Sequence, residues 1–163
     1  MILIGLGANL PSMAGPPRAT LDAALGRLGD AGIKVVAHSR WYRTAPVPVS
    51  DQPWFVNGVA VLETKLLPRE LLAVLHAVED AFGRQRSVAN AARTLDLDIL
   101  DYDGRVEAGA DLILPHPRLQ DRAFVLLPLA EVAPGWRHPI LGRRVEALIS
   151  TLPANQTAEA LPE

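Results

Sequence analysis

Residues Arg93 to Leu100 read "RTLDLDIL". The run is too short and too alternating for a helix and reads as a β-strand. A strand sends successive side chains to opposite faces. Leu95, Leu97 and Ile99 therefore share one face, and Thr94, Asp96 and Asp98 share the other. Two carboxylates on one face stand roughly 6–7 Å apart. They repel unless water or a cation lies between them. Aspartate is depleted in strands, so a purely solvated face is better served by threonine or lysine. A carboxylate pair for Mg²⁺ and a polar strand face both fit the pattern at this point.

Working outward, the strand closes an alternating series. Met1 to Leu6 is a short apolar strand that ends in the loop "GLGANLPSMAGPP". A helix starts near Pro16, carries Leu21, Leu25 and Leu28 on one stripe, and stops at Gly29 to Gly32. "IKVVAHSRWYRT" reads as one continuous second strand. "APVPVSDQP" holds three prolines and cannot keep a regular ladder. "WFVNGVAVLET" is a third strand, with Phe55 and Asn57 on one face. Pro68 opens a second helix, with Leu71, Leu75, Val78 and Phe82 on one side and Gly83 as its stop. Glu79 falls one position off that stripe, which predicts solvent exposure. After "TLDLDILDYDG", the run "DLILPHPRLQDRAFVLLPLAEVAP" predicts a short strand, a proline-bounded turn and a short helix. "RRVEALISTL" predicts a last helix, and the tail from Pro153 is expected to fray. The order β-α-β-β-α-β fits an α+β, ferredoxin-like sandwich with a C-terminal extension. Its sheet has helices on one face and a site on the other. Residues 1–152 are expected to form one catalytic domain and 153–163 a disordered tail.

Composition narrows the chemistry. The chain has 163 residues, 49% hydrophobic and 21% charged, enough for one domain with a real core. A net charge of −2 offers no basic footprint for nucleic acid. There is no cysteine, so disulfides and thiolate–metal sites are excluded. No run is apolar over a membrane-spanning length, and "MILIGLGANL" lacks the basic start of a signal peptide. A soluble cytoplasmic monomer acting on small molecules, with no nucleic-acid or membrane partner, is the expectation.

Cationic residues gather just before the acidic strand: Arg84 and Arg93 flank "QRSVANAA", which itself holds Arg86. Guanidinium forks match phosphate oxygens bidentately. A cationic clamp beside carboxylate-held metal is the layout of phosphoryl transfer. "GLGANL" lacks the lysine of a P-loop and the third glycine of a dinucleotide fingerprint, so by itself it is a tight turn. His116 and His76 each fit a phosphate donor or a structural histidine. His38 and His138 carry no functional argument.

Five segments in register, "GLGANL", "YRTAPV…DQPWFVN", "VEDAFGR", "RTLDLDIL" and "LPHPRLQDRAFVLLPLAEVAP", resemble the 6-hydroxymethyl-7,8-dihydropterin pyrophosphokinases of folate biosynthesis from Met1 to about Leu152. The resemblance implies transfer of pyrophosphate from ATP to the pterin hydroxymethyl group, with release of AMP. It implies that Asp96 and Asp98 hold two Mg²⁺ ions and act catalytically with Arg84 and Arg93. It places His76, Glu79, Arg84, Arg86, Arg93, Ile99, His116 and Arg122 at ATP. It places Thr44, Ala45, Val47, Phe55, Asn57 and Phe124 at the pterin, the two phenylalanines stacking on the ring and Asn57 reading its hydrogen-bonding edge. A flat, donor- and acceptor-rich ring needs stacking faces and an amide, which agrees. One departure stands out. The family's Trp-Gly-Pro run before the arginine of the metal strand is replaced here by "SVANAA". Small side chains supply no large face to cover a ligand, so weaker loop closure is expected over Ser87–Ala92. The alternative is a pterin- or nucleotide-binding relative without turnover. Asp96, Asp98, Arg84, Arg93 and Asn57 argue against it.

Overall fold

A computed structural model describes residues 1–46, 48–84 and 92–162. The chain runs through β1 (Ile2–Ala8), α1 (Pro17–Asp30), β2 (Lys34–His38), β3 (Tyr42–Thr44), β4 (Phe55–Glu63), α2 (Pro68–Ala81) and β5 (Asp96–Tyr102). It continues with β6 (Glu107–Ala108), β7 (Ile113–Leu114), a 3₁₀ turn at Leu119–Asp121, α3 (Ala123–Val132), α4 (Val145–Ser150) and β8 (Ala158–Ala160). The main sheet has the order β5-β1-β4-β3-β8, with β2 also paired to β4. All of its pairings are antiparallel. The fold class is therefore α+β, as expected.

Alternation along the strands makes two cores. Ile2, Ile4 and Leu6 of β1 pack with Leu21 and Leu28 of α1 and with Leu71, Leu75 and Val78 of α2. On the other face Leu3, Val59 and Leu100 pack with Leu126 and Leu129 of α3 and Leu148 of α4. Each fully buried leucine contributes roughly 1.5–3 kcal/mol, so both faces are needed. A bulge between β1 and β5 separates the pairs Leu3↔Asp101 and Ile4↔Ile99. Leu100 is the extra residue. It joins the α3 side together with Asp96 and Asp98, whereas Leu95, Leu97 and Ile99 stay on the α1/α2 side.

Three expectations are corrected. The second strand is not continuous over 33–44. It breaks at Ser39–Trp41 into β2 and β3, both paired to β4. There the Ser39 hydroxyl turns inward, donating to the Arg40 carbonyl and accepting the Val59 N–H. Glu79 is not exposed but 3% accessible. The tail does not fray from Pro153: residues 158–160 form β8, antiparallel to β3, and the Leu161 N–H donates to the Trp41 carbonyl at 2.8 Å.

Gly58 lies under the indole of Trp41. A Cβ there would sit 2.4 Å from Cε3 and Cζ3 of that ring. Trp41 cannot retreat easily: it is buried, stacks on His38 and donates from Nε1 to Asp22 at 2.9 Å. Gly58→Ala is expected to cost about 2 kcal/mol by overpacking, a fall in Tm of roughly 4–8 °C. Thermal unfolding of the two proteins checks this, and an unchanged Tm contradicts it.

Candidate active site

Three neighbouring strands build the floor of one cleft. On β5, Asp96 and Asp98 project to the α3 side. On β1, Gly7 lies opposite Asp96 and Gly5 opposite Asp98. On β4, Asn57 lies opposite Gly7 from the other side. The middle strand is thus bare where its neighbours carry chemistry. Gly7 has to be bare: a Cβ there would fall 2.4 Å from Oδ1 of Asn57. The glycines that read as a turn signal are the cleft floor. Asp96 and Asn57 stand two strand spacings apart, roughly 10 Å.

The cleft measures about 800 Å³ to its open mouth. Thr44, Ala45, Phe55 and Asn57 from β3, β4 and the loop after β3, Asp96 and Asp98 from β5, and Arg93, His116, Arg122 and Phe124 line it. Asn57 is buried and donates from Nδ2 to the Thr44 hydroxyl at 2.6 Å. The Arg122 guanidinium lies 5.2 Å from the centre of the Phe124 ring. Ile99 turns its side chain into the α1/α2 core, so it could meet a ligand only through its backbone. His76 is exposed on α2 and does not line the cleft. Val47, Arg86 and all of the Ser87–Ala92 loop but Ala92 lie outside the described residues.

Asp96 is held rigidly. Its Oδ1 accepts from Arg84 Nη1 at 2.8 Å and its Oδ2 from Arg93 Nη1 at 3.0 Å. Arg84 also donates to Glu79 at 2.9 Å and to the Leu95 carbonyl at 3.0 Å. Glu79 accepts the Leu97 N–H at 2.8 Å. Arg84 therefore works from behind the strand as a clamp on Asp96, while Arg93 reaches the cleft. Arg93 is fixed in turn by Asn9, whose Oδ1 accepts the Arg93 N–H at 2.7 Å. Asn9 Nδ2 donates to Gln52 and to the Pro53 carbonyl at 2.9 and 3.0 Å. Sequence reading missed Asn9. It carries no signal beyond being a polar residue at a strand end, and its partners lie 43 and 84 positions away.

Asp98 differs. No hydrogen bond or ion pair holds it among the described residues, and burial, then Asp96 and Glu79, push its carboxyl up to about 7. One paired and one unpaired carboxylate facing a cleft fit a hard divalent cation. No group of three or more His, Asp or Glu suited to a metal occurs among the described residues, so phosphate and water oxygens would complete the shell. His116 is held neutral, its pKa lowered to about 4 by burial and then by Arg122. Its Nδ1 accepts the Arg118 N–H at 3.2 Å, which leaves the proton on Nε2. Burial lowers the pKa of Arg122, and Asp98 opposes that shift. The site combines oxygen ligands for a cation, donors for phosphate, and a walled amide.

Residues 3–134 match the family model described as 7,8-dihydro-6-hydroxymethylpterin-pyrophosphokinase. A 2-amino-4-hydroxy-6-hydroxymethyldihydropteridine pyrophosphokinase of Synechocystis sp. is 43% identical over 148 residues, covering 90% of this chain and 73% of that protein. The protein of the same name in Pseudomonas aeruginosa is 42% identical over 152 residues, covering 93% and 91%. A mitochondrial folate synthesis bifunctional protein of Arabidopsis thaliana is 43% identical over 132 residues, covering 80% of this chain and 23% of that protein.

The raised Asp98 pKa has a consequence for stability. The unfolded carboxyl loses its proton near its ordinary value of 3.8, while the folded one keeps it to about 7. Between those values the folded state binds more protons, so stability falls as pH rises and levels off above about 7. Asp98→Asn removes this contribution. Urea unfolding of metal-free protein, from about pH 4 to pH 8, is expected to show the variant gaining on the wild type up to about pH 7. Parallel curves contradict it.

Proposed function

The chain belongs to the 7,8-dihydro-6-hydroxymethylpterin-pyrophosphokinase family, and we propose that it transfers the terminal pyrophosphoryl group of ATP to the hydroxymethyl oxygen of 6-hydroxymethyl-7,8-dihydropterin in folate biosynthesis. The pterin oxygen attacks the β-phosphorus, the bond from that phosphorus to the α–β bridging oxygen breaks, and AMP leaves with that oxygen. The pterin hydroxyl proton is released. The observation that carries this reading is the division of one cleft into carboxylates on β5, bare glycines on β1 and an amide on β4, with Phe55 of β4 and Phe124 of α3 in the lining.

Each residue then has a physical task. Asp96 and Asp98 would hold two Mg²⁺ ions, which when bound supply charge neutralisation on the phosphates. Glu79 and Arg84 keep Asp96 in place from behind. Arg93 and Arg122 donate to phosphate oxygens, and neutral His116 adds an Nε2–H donor without further charge. Phe55 and Phe124 stack on the ring, while Asn57 and the backbone of Thr44 and Ala45 meet its polar edge. By resemblance Arg86 and the backbone of Ile99 add nucleotide contacts and Val47 a pterin contact, whereas His76, outside the cleft, is given none. We read the strand order, with α1 and α2 on one face, as the ferredoxin-like arrangement. We take the catalytic unit as one domain acting as a cytoplasmic monomer. No helix among the described residues is long and apolar enough to cross a membrane.

Incubating the protein with ATP, Mg²⁺ and the hydroxymethyl pterin, then identifying the nucleotide product, tests the proposal. AMP with pyrophosphorylated pterin is the expected result. Asp96→Ala and Asp98→Ala should each lower turnover by on the order of a hundredfold or more while remaining folded. ADP as product, or no product from the wild type, contradicts the proposal.

A further inference from the structure

We infer that Gln156, from the C-terminal strand segment, is a positioning residue for Arg122 and Phe124 in the cleft. Helix α3 begins at Ala123 with Arg122 as its N-cap, and no N-cap side chain satisfies its first N–H groups. Gln156 satisfies the first of them, that of Ala123, from 33 residues away. Its Oε1 accepts the Ala123 N–H at 2.8 Å, and its Nε2 donates to the Asp121 carbonyl at 2.7 Å. One amide thus grips the backbone on both sides of Arg122, using its acceptor and its donor at once. That fixes where the Arg122 guanidinium and the Phe124 ring enter the cleft.

The segment carrying Gln156 is itself tied down. The Thr157 carbonyl accepts the Ala45 N–H at 3.2 Å, and Ala158 pairs with Thr44. Beyond β8, Arg18 donates to the Pro162 carbonyl at 2.6 Å. The C-terminal segment therefore ties together two parts of the cleft lining, Thr44–Ala45 and Arg122–Phe124. Misplacement of a binding group by about 1 Å is costly, so this grip matters to ligand binding although Gln156 lines no part of the cleft.

The inference rests on the assignment of Arg122 to the nucleotide site. It is tested with a double-mutant cycle, reading Mg²⁺-dependent affinity for a non-hydrolysable ATP analogue by titration calorimetry. Gln156→Ala is expected to weaken binding about tenfold in the wild-type background and less than twofold in an Arg122→Ala background. A general loss of stability would weaken both backgrounds alike. Gln156→Glu keeps the acceptor for Ala123 and loses the donor for Asp121. It should give roughly a threefold loss with the same dependence on Arg122, and it carries the test should Gln156→Ala not fold. A loss under twofold in the wild-type background, or equal losses in both, overturns the inference alone. A wild type that binds no analogue overturns the functional reading and this inference with it.

Discussion

The carboxylate of Glu79, buried at the end of α2, joins three parts of the protein that the site cannot do without. It accepts the backbone N–H of Leu97 and so pins α2 to β5. It pairs with Arg84, which grips Asp96. Burying a charge costs several kcal/mol unless it is paired and hydrogen-bonded, and removing one partner of such a pair leaves the other exposed to that full cost. The network is therefore an all-or-none device. While it is complete, both carboxylate oxygens of Asp96 are engaged by arginines, and the strand that bears both aspartates is tied to α2. The cost of burying this glutamate is offset by its ion pair with Arg84 and its hydrogen bond from the Leu97 N–H.

Much of this architecture was legible in the sequence because it follows from period. The stripes Leu21–Leu28 and Leu71–Leu75–Val78–Phe82 set two helices against one face, and "RTLDLDIL" placed Asp96 and Asp98 together on the other. The misreadings have a common physical source. The break at Ser39–Trp41 depends on a serine hydroxyl that serves β4, and the docking of residues 158–160 depends on the free edge of β3. Neither partner is near in sequence. The bulge at Leu100 likewise arises from pairing with β1 and leaves no local mark in an apolar run.

The same division runs through the site. Alternation puts Asp96 with Asp98 and Phe55 with Asn57, while the ligand roles of Phe55, Asn57, His116, Arg122 and Phe124 come only from family resemblance. Glu79 failed the periodicity argument because its burial is set by Arg84 and Leu97, not by its place on the helix face. Asn9 and Gln156 were invisible for the same reason: each serves backbone groups tens of residues away. Gly7 was noticed as a turn signal, but its reason is the Asn57 side chain on the neighbouring strand. Polar residues that position others are the hardest to read from a sequence, since their meaning lies wholly in distant partners.

The proposed cation site rests on Asp96, clamped by Arg84 and Arg93, and on Asp98, which has no partner among the described residues. The direct test is a crystal structure with Mn²⁺ and a non-hydrolysable ATP analogue, with the metal located by its anomalous scattering. The expected result is metal bonded to carboxylate oxygens of both Asp96 and Asp98, with the analogue's phosphates completing the shell. Metal held by the phosphates alone, with both carboxylates out of bonding range, would contradict it.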